Sequence, residues 1–449
     1  MNTRVAEPSI PELLQATMQA HVEGKLDVAG QGYRLLQSLA PGNADVLHLS
    51  GVFEGQSGAL ERGHELIRRA IAIDGKQAMF HNNLGLVCVR MGRLDEAERC
   101  YRRAIELDPD RFDAISNLGV LLGQLDRLEE SERVFTELIA RAPRFSDARQ
   151  NLASLYLRLG RFSEAIEQCA RGLVTDPRNP LLRRVLGRAY ADAGLTEQAL
   201  ELYRKWQKED PDHPEPRHHI AAITGEGVPE RASDDYVRAT FSNFAETFDA
   251  KLAQLGYCAP ALVGEATAEA LAGTPGQSLR VIDAGCGTGL CAEQVAAWAR
   301  SLVGVDLSQQ MLDRARAREA YDELVQAELV AFLESRPACC DLLISADTLC
   351  YFGRLDEFAA AARRSLDPSG LLVFTVEAHD DGEGRPDYKL YHHGRYSHRH
   401  GYVRDVLSAA GFDDIALREV VLRQEGGKPV RGWLTRARVP QKDVAHACC

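Results

Sequence analysis

The sequence predicts a multidomain chain: an all-α solenoid followed by an α/β domain with a doubly wound parallel sheet. Three observations predict it. A pattern of glycines, prolines and small residues returns at one constant step through positions 8–213. A β-branched, apolar run, RVIDA (280–284), leads into a Gly-x-Gly-x-Gly turn. The next apolar run ends in an acid, Asp306, spaced from Asp283 as the tip of a second strand would be.

The repeat is read first, because a fixed period sets the architecture of everything inside it. Gly24, Gly58, Gly92, Asp126, Gly160 and Gly194 open a turn at equal steps of thirty-four, and Pro41, Gly75, Pro109, Pro143, Pro177 and Pro211 close each unit at the same step. Small residues recur in register: Thr17, Gly51, Gly85, Gly119, Ala153 and Gly187, then Ala29, Gly63, Ala97, Ser131, Ala165 and Ala199. Each unit therefore reads as two amphipathic helices that approach closely at the small residues, stopped by a residue that cannot continue a helix. LGLVCVRMGRLDEAERCYRRAIELDP (84–109) and LASLYLRLGRFSEAIEQCARGLVTDP (152–177) resemble the tetratricopeptide repeat family. That resemblance implies six repeats stacked into a superhelix with a concave face that binds protein or peptide.

Asn83, Asn117 and Asn151 also stand one full period apart, while Leu49 and Val185 break the row. Asn costs about 0.5 kcal/mol against Ala inside a helix. The row is similar to the asparagine ladder of O-linked N-acetylglucosamine transferase, which implies that these amides bind a peptide backbone in the groove. An amide offers both donor and acceptor. The other reading is a solvated Asn copied by repeat duplication.

Residues 214–233, rich in Pro, His, Gly and charge, read as a linker. Residues 234–440 read as the second domain. It opens with Phe241, Phe244 and Phe248 at helical spacing. They serve either as core or as a lid of aromatic rings over a cationic sulfur.

The turn Asp283-Ala-Gly285-Cys-Gly287-Thr288-Gly289 gives the backbone close approach to a ligand. A helix is expected from about Gly289. A dinucleotide site requires Gly-x-Gly-x-x-Gly, which this turn is not. VIDAGCGTG closely resembles motif I of class I S-adenosylmethionine (SAM) dependent methyltransferases. The resemblance extends over residues 234–440 to bacterial proteins that fuse tetratricopeptide repeats to such a Rossmann-like domain. It implies SAM as cofactor, held by Asp283, Gly285, Gly287, Thr288, Gly289, Asp306, Leu307, Met311, Glu328 and Ala346. Asp306 sits where an acid accepts the ribose hydroxyls, Met311 packs near the adenine, and Glu328 on the third strand tip reads the adenine amine. Strand four spans CDLLISADTLCYF (340–352), strand five GLLVFTVE (370–377), and DIALREVVLR with KPVRGWLTRAR alternates as a final antiparallel hairpin.

Methyl transfer from a sulfonium is an in-line displacement, so the protein aligns the acceptor and removes its proton where it has one. Candidate groups are Asp347 and Tyr351 after strand four, and His392 with Tyr391, His393, Tyr396, His398 and His400 in KLYHHGRYSHRHGY. That segment is otherwise a polar surface loop. SADT (345–348) replaces the tetrad of amino-methylating DNA enzymes, so the acceptor is a small molecule or a protein side chain.

The net charge of −12 and pI near 5.6 argue against non-specific nucleic-acid binding. No signal-like or membrane-spanning run is evident, so a cytoplasmic protein is expected. Of 11 cysteines, none makes a paired zinc spacing. Cys339–Cys340 and Cys448–Cys449 are adjacent pairs, and no metal is expected. Two functions follow: an active methyltransferase whose repeats recruit a protein, peptide or carrier-bound substrate, or a scaffold whose second domain senses SAM or is vestigial.

Overall fold

A computed structural model describes residues 9–242, 248–272, 276–380, 382, 384–426 and 428–441. The chain divides by contacts into Met1–Val185 and Leu186–Cys449.

The sequence period becomes a series of helix pairs: α1 (Ile10–Val22), α2 (Leu26–Leu39), α3 (Ala44–Gln56), α4 (Leu60–Ile73), α5 (Ala78–Arg90), α6 (Leu94–Leu107), α7 (Phe112–Gln124), α8 (Leu128–Arg141), α9 (Ser146–Arg158), α10 (Phe162–Thr175), α11 (Pro180–Asp192) and α12 (Thr196–Glu209). The turn inside each pair needs a left-handed residue. Gly92 has φ +73° and Gly160 +72°, and Asp126 takes the same place at +61°, which Asp tolerates better than most residues. The small residues permit close packing. A Cβ on Gly85 would lie 2.5 Å from the Tyr101 ring, and one on Gly119 2.7 Å from Phe135. Apolar contacts run from repeat to repeat: Ile67, Leu84, Val87, Tyr101, Leu118 and Leu121 share one buried cluster.

The asparagines bond within the array. Asn83 Nδ2 meets His48 Nε2 at 2.9 Å, Asn117 Nδ2 donates to Asn82 Oδ1 at 3.0 Å, and Asn151 Nδ2 donates to Ser116 Oγ at 3.2 Å. Each bond reaches 35 residues back. The row thus joins the first helix of one repeat to the first helix of the repeat before it.

In the second unit the expected linker contains a helix, α13 (Pro214–Thr224), stopped by Gly225 at φ +70°. Then come α14 (Asp234–Ser242), α15 (Phe248–Gln254) and α16 (Ala259–Leu271), and the sheet begins: β1 (Leu279–Ala284), α17 (Ala292–Val295), β2 (Ala299–Asp306), α18 (Gln309–Arg316), β3 (Glu323–Gln326), α19 (Leu329–Ser335), β4 (Cys340–Ser345), α20 (Asp356–Ser365), β5 (Leu366–Ala378), β6 (Tyr388–Leu390), β7 (Tyr396–His398), α21 (His400–Ala409), β8 (Asp413–Glu425) and β9 (Lys428–Arg438). β3-β2-β1-β4-β5 run parallel, β9 pairs antiparallel with β5, and β8 with β9. This is the doubly wound sheet with its terminal hairpin.

Three local expectations change. The helix after the glycine turn is the single turn α17, because β2 already starts at Ala299. Strand four stops at Ser345, and Leu349–Tyr351 form a 3₁₀ turn. The histidine-rich segment is the hairpin β6–β7. β7 pairs with β5 only at Glu377 and Ala378, beyond the point where Ser345 pairs with Phe374. The hairpin therefore extends the sheet past the carboxyl end of β4. Among the described residues no helix is long and apolar enough to cross a membrane.

Candidate active site

A cavity of about 240 Å³ lies at the carboxyl ends of the parallel strands, where the reversal of strand order on either side of β1 opens a crevice. Gly285, Gly287 and Thr288 of the turn, Asp306 and Leu307 after β2, Met311 of α18, Glu328 after β3, and Ala346, Asp347 and Tyr351 after β4 all line it.

The glycine turn is shaped by two different needs. Gly285 has φ +77°, and a Cβ there would sit 2.2 Å from Thr348 Oγ1. Gly287 has φ +54° and nothing within 4 Å of a Cβ position. It lines the cavity, so a Cβ there would point into open space. Gly289 does not line the cavity; its Cβ would press on the Tyr321 ring at 3.0 Å. Asp283 is likewise outside the lining. Its Oδ2 accepts from Tyr321 Oη at 2.6 Å and its Oδ1 has no partner. Burial raises its carboxyl to about 7 despite the tyrosine bond.

Asp306 accepts from the backbone of Gly287 at 3.0 Å and of Ser308 at 2.8 Å. Burial raises its carboxyl, and these backbone bonds oppose the shift. Glu328 caps α19, its Oε2 accepting from Ala331 N at 2.8 Å, while Oε1 is buried without a donor. An orphaned buried acceptor costs about 1–3 kcal/mol; beside a cavity it fits a ligand's N–H.

Phe241 and Phe248 line the cavity, 5.8 Å apart edge to face, and Phe241 meets Tyr351 at 5.4 Å. Phe244 lies outside the described residues. Asp249, next to Phe248, bonds Thr288 Oγ1 and takes Arg318 Nη2 at 2.7 Å, while Arg318 Nε donates to Thr288 O at 2.7 Å. The glycine turn itself thus latches α15 over the cavity.

Beyond β4 lies a buried ionic cluster. Asp347 has φ +57°, a conformation that costs about 1–2 kcal/mol for a side chain with a Cβ. Its N–H donates to Thr375 Oγ1 at 2.9 Å. Its Oδ2 receives Arg423, and its Oδ1 is buried without a partner. Arg423 also bonds Glu377, and its Nε donates to Glu425 at 2.7 Å. Arg395 donates to Glu377 at 2.5 Å and Glu425 at 2.7 Å. Burial raises the Asp347 carboxyl, with Arg423 opposing. Burial also acts on Glu425, but Arg395 and Arg423 outweigh it and hold the carboxyl at about 2. Asp347, Cys350 and Glu377 approach like metal ligands, yet Arg423 bonds both carboxylates.

The histidine candidates do not line the cavity. His392 bonds Asp192 of α11 at 2.9 Å. His398 is fully buried on Gly353 O at 3.0 Å, and burial lowers it to about 4. His393 is lowered to about 3 by burial and then by Arg395. Tyr396 donates to Pro229 O at 2.8 Å, Tyr391 stacks on His393, and His400 meets Trp433. Burial makes Tyr396 and His398 part of the packing, while His392 and His393 stay partly exposed. Arg395, between them, is the residue that reaches the cavity. α13 clamps its loop: His218 meets Gly394 O at 2.9 Å and His219 meets His392 O at 3.1 Å.

Arg423, Arg395, Glu377 and Glu425 escaped the sequence reading, as did Tyr257, which lines the cavity. In β8 a shift of register between Val421 and Arg423 places Leu422 and Arg423 inward together, which an alternating pattern does not foresee.

Family comparison matches residues 282–374 to a methyltransferase domain and residues 78–111, 116–180 and 151–214 to tetratricopeptide repeats. Over 149 residues the chain is 28% identical to a malonyl-[acyl-carrier protein] O-methyltransferase of Erwinia pyrifoliae, covering 33% of this chain and 54% of that protein. Over 112 residues it is 35% identical to human methyltransferase-like protein 27, covering 25% and 43%. The matched part thus spans about half the length of these relatives. The pilus biogenesis factor PilW superposes on 47% of this chain and 98% of its own, at 18% identity and TM-score 0.42.

Proposed function

For a chain that joins tetratricopeptide repeats to a methyltransferase domain, we propose that the cavity binds SAM and transfers its methyl group to an acceptor beside Asp347. The carrying observation is the set of unsatisfied groups around one crevice: the open face of Gly287, Glu328 Oε1 and Asp347 Oδ1. In this reading Asp306 accepts the ribose hydroxyls and Glu328 the adenine amine. Met311 packs the adenine, and Phe241, Phe248 and Tyr351 face the sulfonium. The S–CH₃ bond breaks as the acceptor–CH₃ bond forms, and a protic acceptor gives its proton to Asp347 Oδ1. A carboxyl raised by burial suits that task better than an ordinary Asp. Arg423 holds Asp347, and Arg395 with Arg423 shapes the acceptor end.

The repeats recruit the acceptor as a protein, a peptide or a carrier-borne group. Support comes from the repeat family and from relatives named for an acyl-carrier-protein substrate. Each asparagine nitrogen spends one of its two N–H donors between repeats, so recruitment rests on the second N–H and on other groove residues. The test is labelling of cell extract with methyl-tritiated SAM, followed by size separation. Label on macromolecules that disappears with Asp347→Asn supports the reading. Label confined to small molecules removes the recruitment claim, and no label removes the enzyme.

A further inference from the structure

His64 of α4, Cys88 of α5 and Glu96 of α6 bring their ligand atoms within 4.8 Å of one another. His64 Nε2 lies 2.9 Å from Glu96 Oε1. Cys100, one turn after Glu96, belongs to the same buried cluster as Cys88. Cys88 is fully buried, while Glu96 keeps an edge toward solvent.

The period shows how unusual this junction is. Two later junctions each set a glutamate pair around a guanidinium: Glu98 and Glu130 around Arg127, then Glu132 and Glu164 around Arg161. Both Arg127 contacts are short, 2.8 and 2.7 Å. At the earlier junction the corresponding Arg93 turns to Glu61 at 2.9 Å and stays 3.9 Å from Glu96. There the residue in register with Glu98 and Glu132 is His64. At the same junction Cys88 stands where the next repeat has Leu122, and Cys100 where it has Val134. His64 and Cys88, substituted on two helices, converge on Glu96.

We propose that His64, Cys88 and Glu96 form a site for a divalent transition metal of the zinc class, with three protein ligands and water in the fourth position. A sulfur, an imidazole and a carboxylate suit such a borderline-soft ion. Binding breaks the His64–Glu96 bond and deprotonates Cys88, releasing one proton to solvent. The metal pins α4, α5 and α6 together across a repeat junction.

The test titrates the full-length, metal-stripped protein with Co²⁺ and follows the thiolate-to-metal absorption, then displaces it with Zn²⁺. It is repeated on Cys88→Leu/Cys100→Val, side chains the next repeat carries in register, with circular dichroism to confirm the fold. The expected result is a band saturating at one equivalent in the parent and lost in the variant. A parent without the band, or a variant that keeps it, overturns the site.

Discussion

Replacing Arg423 with Met keeps an unbranched apolar stem and removes the guanidinium that ties three carboxylates. In the parent, Arg423 bonds Asp347, Glu377 and Glu425, and it is 3% exposed. Without it Arg395 alone faces the acids. Breaking a buried pair from one side costs about 3–5 kcal/mol. For a unit of this size that lowers the melting temperature by about 6–20 °C. The pH dependence carries the sharper signature. In the parent the folded pKa of Glu425 is about 2 against an ordinary 4.5. Its stabilisation is therefore present above about 4.5 and is lost as pH falls toward 2. In the variant the carboxylates lose their strongest counter-charge, and Asp347, already raised by burial, rises further. A folded acid with a raised pKa gains stability as pH falls toward its unfolded value. The variant's deficit against the parent is thus largest near pH 8 and shrinks toward pH 5. Calorimetric melts of both proteins from pH 5 to 8 measure it. A variant that melts with the parent at pH 7.5, or whose deficit grows on acidification, refutes this account of the cluster.

Gly287→Ala places a Cβ into the cavity at φ +54°; it should cost about 1–2 kcal/mol of stability yet remove most SAM affinity, read by melting and calorimetry together. Gly285→Ala should instead fail on folding, because Thr348 fills the space; its soluble yield checks this. Asn117→Ala breaks one bond between repeats, worth about 1 kcal/mol, and gains about 0.5 kcal/mol of helix propensity, so it should lower stability in urea unfolding, whereas replacing an asparagine that serves only ligand would raise it. Phe241→Ala removes a ring that packs on Phe248 and Tyr351 and should weaken SAM binding several-fold with little change in melting.

The repeat architecture was legible because its physics is periodic: a left-handed turn residue, a helix stop and a close contact each recur in register. The crevice was legible where local spacing dictates geometry, in the glycine turn and in Asp306 at the β2 tip. Glu328 lines the crevice, but it caps α19 rather than ending a strand. What stayed hidden depends on contacts distant in sequence. The inward turn of Arg423 needs a bulge, and Arg395 reaches the cavity only because β7 continues the sheet past β4. His392 looks like a base in a string of titratable residues, but it is spoken for by Asp192. The bonding of Asn83, Asn117 and Asn151 was equally invisible, because period reveals register and not partners.

The most direct measurement is calorimetric titration of the full chain with SAM, beside Asp306→Ala and beside NAD. One equivalent of SAM should bind, Asp306→Ala should weaken it about 100-fold for the loss of two charge-assisted bonds, and NAD should not bind. Unchanged affinity in the variant, or NAD in place of SAM, would contradict the account.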